Sequence, residues 1–339
     1  MDASGLVAQY ATLLMGHWRV GFQLRRLLRR HREAPIFLVV SHHHLSRAYT
    51  IRRLRRSFRA RCVCFLHDLL PLQYPEYFPP GTELRYRRVC AVIGRFCDSV
   101  VANSRTTAAS LRQLLSAAPG EAASAVRIHV APPGVAELLP PRAPVSAQHG
   151  LSSVPYFIVL GTIEPRKNHL LLLNLWTRLA TTLEAPPRLL VIGARGWENE
   201  QIVDMLERSL RLRGLVEEHN RLDDAAVRAL LGAARALLAP SFAEGFGLPL
   251  AEALAAGVPV ICSDIPVFRE VGGGVPDYLD PLDVSAWRDA IVDYCDPGSA
   301  RRGAQLERLT HWQPPSWCAH FQIVERALDE VAAAACPAS

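Results

Sequence analysis

Residues 239–264 read Ala239-Pro-Ser-Phe-Ala-Glu-Gly-Phe-Gly-Leu-Pro-Leu-Ala-Glu-Ala-Leu-Ala-Ala-Gly-Val-Pro-Val-Ile-Cys-Ser-Asp264. The apolar run Ala236 to Ala239 reads as the end of a strand, and Pro240 to Gly247 as a loop. Leu248 to Ala256 reads as a short helix. Pro249 suits its first turn, where a missing N–H costs nothing, and Gly257 suits its C-terminal cap. Val258 to Cys262 is the next buried strand. A strand, glycine loop, helix and strand in this order form a parallel α/β unit. The N–H groups and positive dipole end at the helix start favour an anionic or polyhydroxy ligand. Glu244 lies in the loop, and Glu252 follows eight residues later on the helix. An ionised carboxylate accepts hydrogen bonds through two oxygens, which suits the vicinal hydroxyls of a ribose or hexose. The stretch is therefore expected to hold a nucleotide sugar.

The second informative string is Gly161-Thr-Ile-Glu-Pro-Arg-Lys-Asn168, between the strand Tyr156 to Leu160 and the helix His169 to Leu183. Arg166 and Lys167 suit a diphosphate, and Asn168 suits a helix cap. Charge on a departing nucleoside diphosphate grows in the transition state, so fixed cations there stabilise it differentially. Lys167 is the chain's single lysine among 38 basic side chains. A compact ammonium and a forked guanidinium are different phosphate partners, so its position inside this string is notable. A third string, His67-Asp-Leu-Leu-Pro-Leu72, follows the buried strand Cys62 to Leu66.

These three strings together resemble the retaining glycosyltransferases of family 4, with a pairing most similar to bacterial mannosyltransferases of exopolysaccharide and O-antigen assembly. The resemblance covers roughly residues 60–330 and is strongest over 156–275. It implies an α/β fold of two Rossmann-like domains facing across a cleft, the GT-B architecture, with a C-terminal helix crossing back to the first domain. It assigns sugar hydroxyls to Glu244 and ribose hydroxyls to Glu252. Phosphates fall to the backbone of Phe246, Gly247 and Leu248 and to Arg166 and Lys167, with Gly161, Thr162 and Gly245 also in the donor-binding set. Arg221 and Leu222 would frame the base, and His67 would stand near the transferred sugar and acceptor. Many relatives carry an arginine directly after the first glycine of the second string; here it is Thr162, so the phosphate clamp has one cation fewer or Arg166 stands in. The implied route is front-face attack by the acceptor hydroxyl, the leaving phosphate oxygen taking the proton.

A chain of 339 residues accommodates two cores. We place a first domain at 1–150, a second at 151–315 and the returning helix at 316–339, with the linker in the Pro-, Ala- and Ser-rich 135–153. Residues 6–31 read as helix, and no strand with a glycine turn opens the chain, so the expected first strand is missing. No apolar run reaches the roughly 18 to 20 residues of a membrane span, and no secretory signal pattern is visible. The cysteines have no paired spacing, which argues against zinc and for reduced thiols in a cytoplasmic protein. His42-His43-His44 reads as loop. No Asp-x-Asp occurs to hold a metal on a diphosphate, so no metal and no cofactor beyond the GDP- or UDP-sugar donor is expected.

Twelve arginines face two acids within residues 1–60. Leu24 to Arg32 and Ile51 to Arg61 mix arginine with apolar residues, as do segments that lie on anionic membranes; no nucleic-acid motif accompanies them. The resulting expectation is a hexosyltransferase peripheral on the inner face of the cytoplasmic membrane. It would take mannose from GDP-mannose as first choice and pass it to a glycan or polyprenyl-linked oligosaccharide. Two alternatives stand beside it: a catalytically inactive scaffold or partner subunit of the same fold, and a sugar-nucleotide epimerase, whose further acid/base residues have no counterpart here.

Overall fold

The computed structural model of the chain describes residues 34–41, 45, 48–117, 126–135 and 154–334. Two compact units emerge. One is built from residues up to Gln73, Gly81–Pro132 and the chain from Cys318; the other from Tyr74–Pro80 and Pro133–Trp317. The expected opening helix and missing strand, the histidine triplet and, Val135 apart, the linker fall outside the described residues.

The first unit runs β1 (Ile36–Val39), α1 (Ala48–Phe58), β2 (Arg61–Leu66), α2 (Thr82–Phe96), β3 (Ser99–Ala102), α3 (Arg105–Ser116) and β4 (Arg127–Val130). Its strands are parallel and ordered β1-β2-β3-β4. Each crossover steps the same way, and right-handed crossovers then place all three helices on one face. Cys62, Cys64 and Leu66 point to that face and pack with Ile51, Ile93 and Leu111. The alternate residues Val63 and Val101 point to the other face. Among the described residues that face is covered by the C-terminal helix Trp317–Ala333, through Val324, Ala327, Leu328 and Val331. Each such buried Val or Leu contributes about 1.5–3 kcal/mol. The exposed pair Arg127–Glu330, at 4.0 Å, contributes about 0–1 kcal/mol, so packing holds this helix.

α1 takes up most of the stretch Ile51 to Arg61. Its apolar side is taken up by the protein: Ile51 is buried, and Leu54 and Phe58 are half-buried. Arg55 donates to Asp98 Oδ2 at 2.6 Å and to the Phe96 carbonyl. Only Arg52, Arg53, Arg56 and Arg59 face outward.

The second unit runs β5 (Tyr156–Leu160), α4 (His169–Thr182), β6 (Arg188–Ile192), α5 (Glu200–Arg208), β7 (Val216–His219), α6 (Asp224–Ala233), β8 (Leu237–Ala239), α7 (Leu248–Ala255), β9 (Val260–Ser263), α8 (Pro266–Gly272), β10 (Asp277–Leu279), α9 (Val284–Cys295) and α10 (Ala300–Leu309); α11 is the helix Trp317–Ala333. All strands are parallel, ordered β10-β9-β8-β5-β6-β7. From β5 the chain winds outward to β7 and then returns to the other side of β5. Helices consequently cover both faces, with Trp176, Ile202 and Trp287 on one and Leu230, Leu254 and Phe268 on the other. Strands buried on both sides read as unbroken apolar runs, which is why Tyr156–Leu160 stands where the sequence placed it.

The differences lie in short helices. Pro266–Gly272 is helical and buries Val267 and Phe268. Its β-branched residues and the glycines at 272, 273 and 274 mask a helix of two turns. Ala300–Leu309 is a further helix, started by Ser299 Oγ accepting from Arg302 N–H. The helix after β6 ends at Arg208, and the chain between β2 and α2 contains one helical turn, Leu70–Gln73, and a 3-10 turn, Pro75–Tyr77. Cys62, Cys64, Cys97 and Cys262 are buried free thiols.

His169 opens α4 inside the apolar layer, beside Val159, Leu172 and Leu189. Neither ring nitrogen has a hydrogen-bond partner. Burial, helped by Lys167, pushes its pKa down to about 4. The unfolded chain then binds the proton first as pH falls, so this contribution is complete above the ordinary histidine value of 6.5 and is lost between 6.5 and about 4. Thermal melts across this window should lose up to about 3 kcal/mol, and His169→Leu should flatten that part of the profile.

Candidate functional site

The order β8-β5 makes the gap between these strands a topological switch point, where loops leave in opposite directions and open a crevice at the carboxyl ends. The loop after β5 carries Gly161–Asn168, and the loop after β8 carries Pro240–Gly247. Their backbones are tied together. Phe242 N–H donates to the Arg166 carbonyl at 2.8 Å, and Arg166 Nη1 donates to the Ala243 carbonyl at 3.0 Å. Asn168 does not cap α4 with its side chain, as the sequence suggested. It sits in the left-handed region at φ 55° and donates its amide to the carbonyls of Pro240 at 3.2 Å and Pro281 at 3.0 Å. Asparagine tolerates this backbone conformation, and its side chain serves as a strut between loops.

Glu244 sits between the two expected phosphate ligands. Its Oε2 accepts from Arg166 Nη1 at 2.7 Å, and its Oε1 accepts from Lys167 Nζ and, at 3.0 Å, from Ser241 Oγ. The side chain is only 8 % exposed. Burial alone would raise its pKa, but the Lys167 and Arg166 charges and hydrogen bonds hold it down at about 2, so it is ionised at neutral pH. The sequence placed Glu244 opposite the two cations as a separate acceptor; the structure pairs it with both.

A second acid completes the cluster. Glu164 is 1 % exposed, and its Oε1 pairs with Arg166 Nη2 at 2.6 Å. Its Oε2 is buried with no hydrogen-bond partner. Burial pushes its carboxyl up, Arg166 and Lys167 pull it down, and Glu244 adds to the rise. Sequence reading passed over Glu164 and Ser241 as loop residues. The available signal was an acid inside an otherwise basic turn.

Two glycines are required here. Gly161 has φ +131°, and a Cβ on it would stand 3.2 Å from Lys167 Nζ. Gly247, at φ +92°, starts α7, and a Cβ would meet Phe268 Cε1 at 2.7 Å. Glycine alone reaches these geometries without strain. Phe246 turns its ring into a small core with Val135 and Ala251, whereas Leu248 is exposed. Thr162 is half-buried on the same loop as Gly161, and Gly245 follows Glu244.

Glu252 lies on α7, exposed. Partial desolvation and the nearby Asp224 push its carboxyl up against the pull of Arg228. Arg221, exposed, and Leu222, half-buried, occupy the loop between β7 and α6. The second unit thus brings Arg166, Lys167 and Glu244 into direct contact. Glu252 and Arg221–Leu222 stand on other elements at the same ends of the strands. His67 belongs to the first unit, after β2, where its Nε2 lies 3.1 Å from the Val40 carbonyl. Among the described residues no group of three His, Cys, Asp or Glu side chains is arranged to hold a metal ion.

The family model described as Glycosyltransferase Family 4 matches residues 7–137, and that described as Glycosyl transferases group 1 matches residues 144–273. The O-antigen chain mannosyltransferase B of Escherichia coli is 35 % identical over 174 residues, 51 % of this chain and 45 % of that protein. The serotype-specific mannosyltransferase WbdA of Escherichia coli is 28 % identical over 218 residues, 62 % of this chain and 27 % of that protein. The chain therefore spans less than half the length of these relatives. Sucrose-phosphate synthase from Thermosynechococcus elongatus superimposes with a TM-score of 0.69 at 22 % identity, over 88 % of this chain and 74 % of that one, a likeness of fold. With the two matches falling in succession along the two parallel-sheet units, the chain belongs to the GT-B glycosyltransferases and resembles the bacterial O-antigen mannosyltransferases.

Proposed function

We propose that the chain is a metal-independent, retaining hexosyltransferase of cell-surface polysaccharide synthesis. It takes a nucleotide sugar, GDP-mannose as first choice, and passes the hexose to a glycan or polyprenyl-linked oligosaccharide. The observation that carries this reading is the closed set Arg166–Glu244–Lys167 at the switch point. Two cations on a glycine-bounded loop form an anion site, and in the absence of ligand a carboxylate occupies it. An arriving diphosphate competes for Arg166 and Lys167. Released from them, Glu244 offers two oxygens to the sugar hydroxyls. As the bond to the diphosphate breaks, charge grows on the phosphate oxygens that these cations meet, so they act more strongly on the transition state than on the bound donor. The first turn of α7 adds its dipole. By resemblance, Glu252 takes the ribose, Arg221 and Leu222 frame the base, and His67 serves the transferred sugar and acceptor.

Localisation follows from the same reading. A polyprenyl-linked acceptor is presented at the cytoplasmic face of a membrane. No helix among the described residues is long and apolar enough to cross one. The outward arginines of α1 supply charge while Ile51 is buried in the protein, so attachment would be mainly electrostatic and screened by salt.

Three outcomes test the proposal. GDP or UDP at a hundredfold excess over its Kd should stabilise the protein by about 2.7 kcal/mol, a clear rise in Tm; no rise with either nucleotide defeats the donor site. Glu244→Gln should lower nucleoside diphosphate release from the donor by about 100-fold or more, whereas unchanged turnover would favour the scaffold reading. Sedimentation with anionic vesicles should be lost at high salt and weakened by Arg52→Ser/Arg56→Ser; salt-insensitive binding would contradict the electrostatic attachment.

A further inference from the structure

Among the described residues, the ion pairs linked through Arg166 carry no net charge. Arg166 and Lys167 contribute two positive charges, Glu164 and Glu244 two negative ones, within one connected set of ion pairs. If the donor site is as proposed above, a sugar diphosphate adds two further negative charges to this partly dehydrated place. Carboxylates that share a cation with an incoming anion cannot all remain ionised without a large penalty.

The structure distinguishes the two acids. Glu244 has both oxygens occupied, by a guanidinium, an ammonium and a hydroxyl. Glu164 has one oxygen on Arg166 and the other buried with nothing to accept from. An oxygen without a donor is the natural seat of a proton, because protonation removes a buried charge that only one contact compensates. The charged groups acting on Glu164 are Arg166 and Lys167 from its own loop and Glu244 from the loop after β8. The loop after β6 meets the neighbouring Ile163 through the backbone of Ala194 and Gly196 and the amide of Asn199, all uncharged. Arg195 of that loop is engaged with Glu207 and Glu218.

We propose that Glu164 is a proton-accepting positioning residue: it takes one proton from solvent as the donor diphosphate binds, which frees the Arg166 charge for the phosphates. The carboxylate becomes a neutral acid at Oε2. Its Oε1 still accepts from Arg166 and keeps the guanidinium aimed. Donor affinity is therefore linked to pH through a residue that does not itself touch the donor.

The test is calorimetric titration of the full chain with GDP-mannose and with UDP-glucose, in buffers of different ionisation enthalpy, between about pH 6 and 8. Sugar-esterified diphosphates are used because a free terminal phosphate titrates near pH 6 itself. The expected result is net proton uptake, up to one per donor bound, with affinity falling by up to about tenfold per pH unit as pH rises. Glu164→Gln should abolish the uptake and the slope while still binding. Binding without uptake, or an unchanged slope in Glu164→Gln, overturns the inference and leaves the donor site intact. No binding of either donor defeats the donor site and this inference with it. Should Glu164→Gln fail to fold, the infrared difference spectrum of the unaltered protein decides, since donor binding must then produce a protonated-carboxyl band. Its absence overturns the inference.

Discussion

The pairing of Glu244 with Arg166 and Lys167 is the contact on which the second unit's site depends. Three charges are taken largely out of water there, which is costly unless each finds partners. They find them in one another, in Ser241 and in the Ala243 carbonyl. Removing one partner from such a set costs about 3–5 kcal/mol, because the remaining charge stays buried and uncompensated. The same contact fixes the geometry of both cations.

That arrangement is possible only because two loops far apart in sequence are held in register. Lys167 and Glu244 lie 77 positions apart; the chain between them includes three strands and three helices, and the sheet returns it to the strand beside its start. The Phe242 N–H on the Arg166 carbonyl and the Asn168 side-chain amide on the Pro240 carbonyl then fix the two loops. These ties join uncharged groups, so they constrain position without depending on charge. The second unit also recruits Tyr77, whose ring stacks on Phe242 at 5.4 Å and whose carbonyl accepts from Trp197 Nε1 at 2.9 Å. The residue two before Glu244 is thereby held from a second direction.

The first unit solves a different problem. Strands added in sequence order put every crossover helix on one face and leave an apolar face opposite. α11 covers this face by packing, although in sequence it follows the second unit. Its tie to the first unit includes a buried histidine, His320, whose Nδ1 lies 3.1 Å from the carbonyls of Ala131 and Pro132. Proximity in the fold and proximity in the chain are unrelated here, as they are at the loops after β5 and β8.

The amino-acid sequence by itself determined the parallel α/β class, because double-sided burial makes strands read as apolar runs and loop glycines punctuate them. It also singled out Glu244, Arg166, Lys167 and Glu252 as candidates, since acids, cations and glycines just after strands suit an anionic or polyhydroxy ligand. It missed the helix Pro266–Gly272, whose β-branched residues mimic a strand, and it could not show that Glu164 is buried or that Asn168 braces loops instead of capping a helix. Those facts depend on which strands are neighbours. Strand order is a property of long-range packing, and local pattern carries no record of it. The insertion of β8 beside β5 decided that the carboxylate would sit on the cations, and the placement of α11 on the open face of the first sheet was decided in the same way, by surfaces that exist only once the chain has folded.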